Sequence, residues 1–445
     1  MSERKFCDIL IEHADCLNED MEIFRDQAVV ITEGTITAVF PMGEGTGGYE
    51  PYERVDGSGK LWMPGLIDGH MHTGQQLLKG RVLDELPMIW TRIMLPFEST
   101  MTPEKMCLSA RLAAMEMIKN GTTGFIESGG YFMEEAATIY ERVGLRGAVS
   151  HSTMDQGKFP DSIRQTAEEA VAETDRLYER FHGRGNLKVF YSLRALMNCS
   201  EKLIGLAADH ARERSTSLQA HMNEYPGEVN YTLEKYQLRP VEYLEKLGIL
   251  DGRFLAAHGI LLSPGEMELL QERGSSVIHC PFSNCGKGVP ETPELLKRGI
   301  PVGLGTDGAA HGGLSLWNEM KIFRSVMNAV WGTRNAEPRI MPAKTILKMA
   351  TQGGAAALGE AGCLGALKPG YKADIISVDF RKPELFATGN PVNTLLECVT
   401  GGDVADSMVD GIFLMRDRRL TTMDEERITR LAKQYFETGE VAEWR

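Results

Sequence analysis

From residue 61 onward the chain alternates between short apolar runs and longer stretches in which apolar residues recur at helical spacing. That alternation predicts repeated strand–helix units and a parallel sheet. The apolar runs fall at residues 61–67, 123–127, 145–150, 187–192, 217–221, 254–258, 276–279 and 302–306. The stretch 103–119 shows why the intervening segments read as helices: Thr102 suits its N-cap, and Asn120-Gly121 supplies a stop. Residues 161–181 and 264–273 read the same way. Eight such units over about 250 residues predict an α/β fold, a (β/α)8 TIM barrel.

Ahead of residue 61 the pattern is different. Short β-rich runs at 8–11, 28–31 and 35–40 are followed by a Gly-rich loop at 43–48. Beyond Gly365, β signals return at 373–378 and 407–415, and 420–444 reads as a closing helix. One small β-sandwich domain formed from both termini, residues 1–60 and 365–445, flanking a barrel over 61–364, accounts for this pattern with the fewest parts.

Composition narrows the function classes. The 445 residues are 42% hydrophobic and 25% charged, which suits a folded globular chain. A net charge of −14 leaves no electrostatic footprint for nucleic acid. Residues 1–20 carry charges throughout, and no run reaches the roughly 20 apolar residues of a membrane span, so neither a secretory signal nor a membrane anchor is expected. The eight cysteines include no CxxC pair and read as free thiols, with a cytoplasmic location as the default.

Barrels of this type place their chemistry at the C-terminal ends of the strands. His70 and His72 follow the first run; residues two apart in an extended segment face the same side and can offer two imidazoles to one ion. His221 ends the fifth run, His258 the sixth, and Asp307 follows the eighth. Three imidazoles and a carboxylate, from His70, His72, His221 and Asp307, suit one divalent ion, Zn²⁺ first and Fe²⁺ as the alternative. Such an ion makes hydroxide available near neutral pH. Glu224, three residues beyond His221, is placed to carry the proton of the attacking water. His258 is placed to orient the attacking oxygen or the developing oxyanion, and Asp307 to act as both ligand and base.

The motifs PGLIDGHMH (64–72), HMNE (221–224), AHGILLSPGE (257–266), HCPFSN (279–284), GLGTDGAA (303–310) and KPGYKAD (368–374) resemble the amidohydrolase superfamily over nearly the whole chain. More narrowly, the chain is similar to the branch that contains S-adenosylhomocysteine and methylthioadenosine deaminases, guanine deaminase and triazine hydrolases. The resemblance implies a single metal held by His70, His72, His221 and Asp307, a proton-carrying Glu224, and His258 acting on the oxygen. It also implies that His279 and Asn284 belong to a motif lining the site, where a structural or hydrogen-bonding role is as open as substrate contact, and that the enzyme is of a kind that often assembles as homo-oligomers. The implied reaction is hydrolytic deamination of a nitrogen heteroaromatic ring, with water and a small heterocycle as substrates.

Substrate identity is divided. Residues 86–90 with Pro96-Phe97-Glu98 resemble the segment of the nucleoside deaminases in which a glutamate binds ribose, making Trp90 and Glu98 candidates for substrate contact. GTDGAA looks nucleoside-type as well. Arg194, however, stands about where adenine-type deaminases carry a histidine, and guanine deaminases carry an arginine there; a guanidinium fork suits a ring carbonyl. Gln75, just past the histidine pair, is a further candidate contact, and His311 a candidate for closing the mouth. An adenine nucleoside deaminase is the leading reading. A guanine-, 8-oxoguanine- or pterin-type deaminase, a triazine hydrolase releasing chloride or alkylamine, and a non-catalytic binding barrel are the alternatives.

Overall fold

The computed structural model describes residues 4–85 and 89–441. Leu86, Pro87 and Met88 of the segment singled out above, and Trp444 at the end of the expected closing helix, lie outside the described residues. The strands run β1 (Lys5–Leu17), β2 (Ile23–Thr32), β3 (Thr35–Pro41), β4 (Tyr49–Asp56) and β5 (Lys60–Pro64) in the N-terminal part. Then come β6 (Leu66–His72), β7 (Thr122–Glu127), β8 (Arg146–Val149), β9 (Leu187–Val189), β10 (Tyr191–Leu193), β11 (Leu218–Met222), β12 (Phe254–His258), β13 (Ser276–His279), β14 (Val302–Leu304) and β15 (Asp307–Gly308). The chain returns with β16 (Ile375–Asp379), β17 (Val404–Val409), β18 (Ile412–Arg416) and β19 (Arg419–Leu420).

The central strands form two five-stranded sheets, β15-β6-β7-β8-β9 and β10-β11-β12-β13-β14, and every neighbouring pair is parallel. The chain crosses between the sheets twice, at Phe190 between β9 and β10 and at Gly305-Thr306 between β14 and β15. The backbone N–H of Phe190 still bonds to Val149 while that of Tyr191 bonds to Ser217, so one segment serves both sheets. This α/β arrangement is of TIM-barrel type. At the second crossing Gly305 lies so close to strand β6 that an added Cβ would sit 2.8 Å from the backbone N and O of His70.

The other sheet has nine strands, in the order β19-β18-β17-β16-β5-β1-β2-β3 with β4 also on β1, and is built from both ends of the chain. Along β1, Ile9 and Ile11 pack with Trp62, Ile375 and Met408, whereas Leu10 between them, and Cys7, pack with Ala28 and Val30. Both faces are thus covered, which explains why β1 and β2 read as apolar runs rather than as clean alternation.

Several predicted elements need correction. The run expected over 61–67 is two strands: Lys60–Pro64 pairs with β1 and β16 in the terminal sheet, and only Leu66–His72 belongs to the central sheets. Hydrophobicity cannot separate them, because both halves are buried. The break falls at Gly65, whose position against the Thr123 side chain leaves no room for a Cβ. The strand expected over 407–415 is a hairpin turning at Asp410-Gly411, with φ of 52° and 77°, the mirror-image geometry that Asp-Gly favours. The helix expected from 161 begins at Ala167, where Thr166 and Glu169 form a reciprocal capping box. The helices Pro103–Lys119 and Pro264–Arg273 match their expected bounds. No helix among the described residues is long and apolar enough to cross a membrane.

One ion pair joins the terminal sheet to the central strands. Arg146 at the start of β8 donates from Nε and Nη2 to Asp374 (2.6 and 3.1 Å), which also accepts the backbone N–H of Asp410 at 2.8 Å. Arg146 is 11% exposed and Asp374 4%. Replacing Asp374 with Ala removes both short contacts of a largely buried guanidinium, leaves it only Asp410 Oδ1 at 3.5 Å, and is expected to cost about 3–5 kcal/mol. Chemical denaturation of the wild type and Asp374→Ala checks this; a loss below about 1 kcal/mol would remove the pair's assigned role.

Candidate metal centre

The C-terminal ends of β6, β11, β12 and the β14–β15 crossing bring His70, His72, His221, His258 and Asp307 together. His72 Nε2 lies 3.3 Å from His221 Nε2 and 3.5 Å from Asp307 Oδ1, and His70 Nε2 lies 3.9 Å from the same oxygen. Ligands about 2.0–2.1 Å from a tetrahedral ion stand roughly 3.3 Å apart, so these separations fit one cation. The buried state of His70 points the same way. It is 1% exposed, and neither ring nitrogen has a hydrogen-bond partner in the protein. An imidazole left so is expensive unless something occupies its lone pair.

Electrostatics keep these groups in the forms a cation requires. Burial, reinforced by the His258 imidazole, pushes His70 down to about 3. Burial also holds His72 and His221 well below the ordinary histidine value. All three are therefore neutral at physiological pH, with a lone pair free to bind metal. Burial raises the Asp307 carboxyl, but His258, Lys287 and the neighbouring imidazoles outweigh it and hold that group well below the ordinary range.

Backbone geometry sets these side chains. His258 and Asp307 have φ of 71° and 59°, and Asn223, beside Glu224, has 52°; such left-handed conformations are uncommon for residues with a Cβ. Three of them clustered at one mouth is the kind of stored strain that accompanies functional sites. Asp68 braces the closure. It accepts the Thr306 N–H (3.0 Å), the Thr306 hydroxyl (2.6 Å) and the His70 N–H (3.3 Å), tying β6 to the β14–β15 crossing. Burial raises its carboxyl to about 7.

A turn after β13 supplies the next layer. Ser283 Oγ donates to Asp307 Oδ2 at 2.6 Å. The Asn284 amide satisfies all of its neighbours in one orientation, with nitrogen donating to Cys280 O (3.2 Å) and His258 Nδ1 (3.1 Å) and oxygen accepting Cys280 N–H (3.2 Å). The opposite orientation sets Asn284 Oδ1 against His258 Nδ1 but turns the amide oxygen toward the Cys280 carbonyl; the first is therefore favoured. It puts the His258 proton on Nε2, which lies 3.7 Å from Glu224 Oε1.

In front of the cluster lies a cavity of about 240 Å³, reached by His72, His221, Asp307, Glu224, Gln75, Trp90, Arg194 and His311 among others. Its outer wall is apolar, from Ile89, Met94 and Met197. A broader depression of about 1090 Å³ on the helix Glu425–Thr438 is lined by residues of both charges, among them Glu425, Glu426, Arg430 and Lys433, and by no histidine. Gln75 and Trp90 belong to the cavity wall, and each has a buried polar atom, Oε1 and Nε1, without a hydrogen-bond partner. Glu98 does not reach this cavity. Its Oε1 accepts from Arg194 Nη2 at 2.8 Å, and it borders a second cavity of about 520 Å³. His279 is also absent from the wall; its Nδ1 bonds to the His258 carbonyl at 2.7 Å, and Asn284 likewise acts behind His258.

Three residues absent from the sequence reading border the site. Lys287 donates to Glu224 Oε1 and, at 2.8 Å, to Ser283 Oγ. Glu228 accepts the Glu224 backbone N–H at 3.0 Å, and burial raises its carboxyl to about 8. Tyr225 lies under the Lys287 ammonium, 5.1 Å from the ring centre. The signal available for Lys287 was its place three residues beyond Asn284.

The family model described as the amidohydrolase family matches residues 61–413. A 5-methylthioadenosine/S-adenosylhomocysteine deaminase of Syntrophobacter fumaroxidans is 35% identical over 418 residues, 93% of each chain. A 5'-deoxyadenosine deaminase of Methanosarcina mazei is 33% identical, covering 97% of this chain and 98% of that one. An adenosine deaminase from Xanthomonas campestris, solved with bound zinc, superposes with a TM-score of 0.91 at 27% identity, over 98% of this chain and 99% of that one.

If the cluster binds an ion, purified protein carries about one zinc per chain, and His70→Ala or Asp307→Asn lowers this to below about a tenth while the protein remains folded. Elemental analysis with circular dichroism reads both quantities; undiminished zinc in either variant contradicts the grouping.

Proposed function

Since the chain belongs to the amidohydrolase family, we propose that it is a metal-dependent deaminase of adenine nucleosides, built as a barrel that carries a smaller β-sandwich unit. In this reading the chain hydrolyses a carbon–nitrogen bond: water adds to the ring carbon that bears the amino group, and ammonia leaves. The central sheets close into one (β/α)8 barrel through the two shared segments, and the division from the terminal unit moves from residue 61 to Gly65, because β5 pairs within the terminal sheet.

His70, His72, His221 and Asp307 would hold the ion, Zn²⁺ in preference to Fe²⁺. A bound divalent cation supplies Lewis acidity, which makes water a source of hydroxide near neutral pH. Glu224 takes the proton of the attacking water and delivers it to a ring nitrogen, and later to the departing amine. His258, its proton on Nε2, donates to the attacking oxygen and the negative charge that develops there. Ser283 keeps Asp307 turned toward the histidines through Oδ2. Gln75 and Trp90 line the space for the heterocycle, and Ile89, Met94 and Met197 give its substituent an apolar wall. Glu98, Arg194, His279 and Asn284 divide differently from the sequence expectation: Arg194 faces the cavity, and the other three act behind it. The observation that carries the reading is Glu224, set beside His258 at the edge of a neutral histidine cluster.

A second reading has one observation in its favour. Arg194 reaches the cavity and Glu98, the candidate ribose contact, does not. A guanidinium in the wall suits a ring carbonyl, as in guanine, 8-oxoguanine or a pterin.

Ammonia release from adenosine, S-adenosylhomocysteine, methylthioadenosine, guanine, 8-oxoguanine and pterins separates the two. The adenine nucleosides are expected to turn over fastest; turnover confined to the carbonyl-bearing rings would replace the first reading with the second. Glu224→Gln is expected to lower kcat by about 10²–10⁴ on the preferred substrate, and an unchanged kcat would remove Glu224 from the proton path.

A further inference from the structure

Glu224 stands on the strained loop after β11, but its carboxylate is held from elsewhere. We propose that Lys287, reaching from the turn after β13, is a positioning residue whose ammonium fixes the Glu224 carboxylate in its working place. The inference rests on the proposed role of Glu224.

The Lys287 side chain is 8% exposed, yet its charge faces the substrate cavity rather than solvent. Burying an ammonium is costly unless a carboxylate and further acceptors compensate it. Here they do: Nζ donates to Glu224 Oε1 and Ser283 Oγ and sits over the Tyr225 ring. Ser283 passes the connection to Asp307 Oδ2, and Asn284 on the same turn contacts His258. One turn, 283–287, therefore sets the side chains at the ends of three separate strands. The turn itself is fixed, with Lys287 N–H on Asn284 O at 2.8 Å and Phe282 N–H on Glu319 Oε2 at 2.8 Å.

A carboxylate held through one oxygen keeps the other for proton exchange. Glu224 otherwise has its backbone fastened by Glu228 and its carboxylate only within 3.7 Å of His258 Nε2, longer than a hydrogen bond. Without the ammonium nothing within hydrogen-bond length would hold that carboxylate beside the Asp307 charge, and it would be free to turn toward the cavity, where it is already 13% exposed.

A merely structural role for Lys287 would lower turnover whether or not residue 224 carries a carboxylate, whereas a positioning role acts only through that carboxylate. The test therefore compares Lys287→Met with wild type, as full-length zinc-loaded protein, with Glu224 intact and in a Glu224→Gln background, on the amino substrate preferred in the panel above. The expected result with Glu224 intact is a kcat about 10²-fold lower and a KM within about threefold. Lys287→Arg is expected to recover at least about a tenth of the amino activity, and zinc content and melting temperature to stay at wild-type values. In a Glu224→Gln background, Lys287→Met should add less than about threefold, because the two act as one unit.

A full additive loss in the Glu224→Gln background or an undiminished kcat in Lys287→Met would each overturn the inference. If Lys287→Met fails to fold, Lys287→Gln is judged by the same outcomes. A Glu224→Gln protein with wild-type turnover would sink the role of Glu224 itself; an impaired Glu224→Gln beside an unimpaired Lys287→Met sinks only Lys287.

Discussion

The site depends on the pairing of β15 with β6. His70 and His72 stand at the end of β6, and Asp307 arrives from the edge strand of the other sheet, more than 230 residues later in the chain. Asp68 bonds to the backbone and hydroxyl of Thr306, Asp307 pairs in register with Met71, and Gly305 lets the two backbones approach within a distance no side chain would permit. Without that seam the carboxylate would not come near the histidine pair, and the low-dielectric pocket that keeps the imidazoles neutral would open to water.

Charge in the pocket is balanced locally. Arg194 faces Glu98, and Lys287 faces Glu224; each cation is nearly buried and each has its own carboxylate. Buried pairs of this kind are weak contributors to stability but strong determinants of position, because removing either member leaves an uncompensated charge. The two pairs have different consequences for the cavity. The Arg194 pair withdraws Glu98 from the substrate wall and leaves a guanidinium in its place. The Lys287 pair keeps Glu224 in the wall and limits where it can point.

A second layer of buried acids surrounds the first. Asp68, Glu127 and Glu228 are raised by burial to about 7, 7 and 8, and each is anchored by backbone or hydroxyl donors. They fasten the ends of β6 and β7 and the loop after β11. Rigid ligands matter because a displacement of about 1 Å in a metal site or a proton carrier is enough to lose most of its effect.

The spacing of apolar runs, the caps of the helices 103–119 and 264–273, and the arrival of His70, His72, His221, His258 and Asp307 at strand ends were legible in the sequence, because these follow from local periodicity and from a rule about where such barrels carry their chemistry. The division at Gly65 was not, since β5 and β6 are equally buried and only hydrogen-bond partners distinguish them. Nor was the pairing of Arg194 with Glu98, the place of Lys287 over Glu224, or the retreat of His279 and Asn284 behind His258. Each is a contact between residues distant in the chain, decided by how strands stack around a ring, and side-chain type alone carries no record of which charged neighbour will be buried against it.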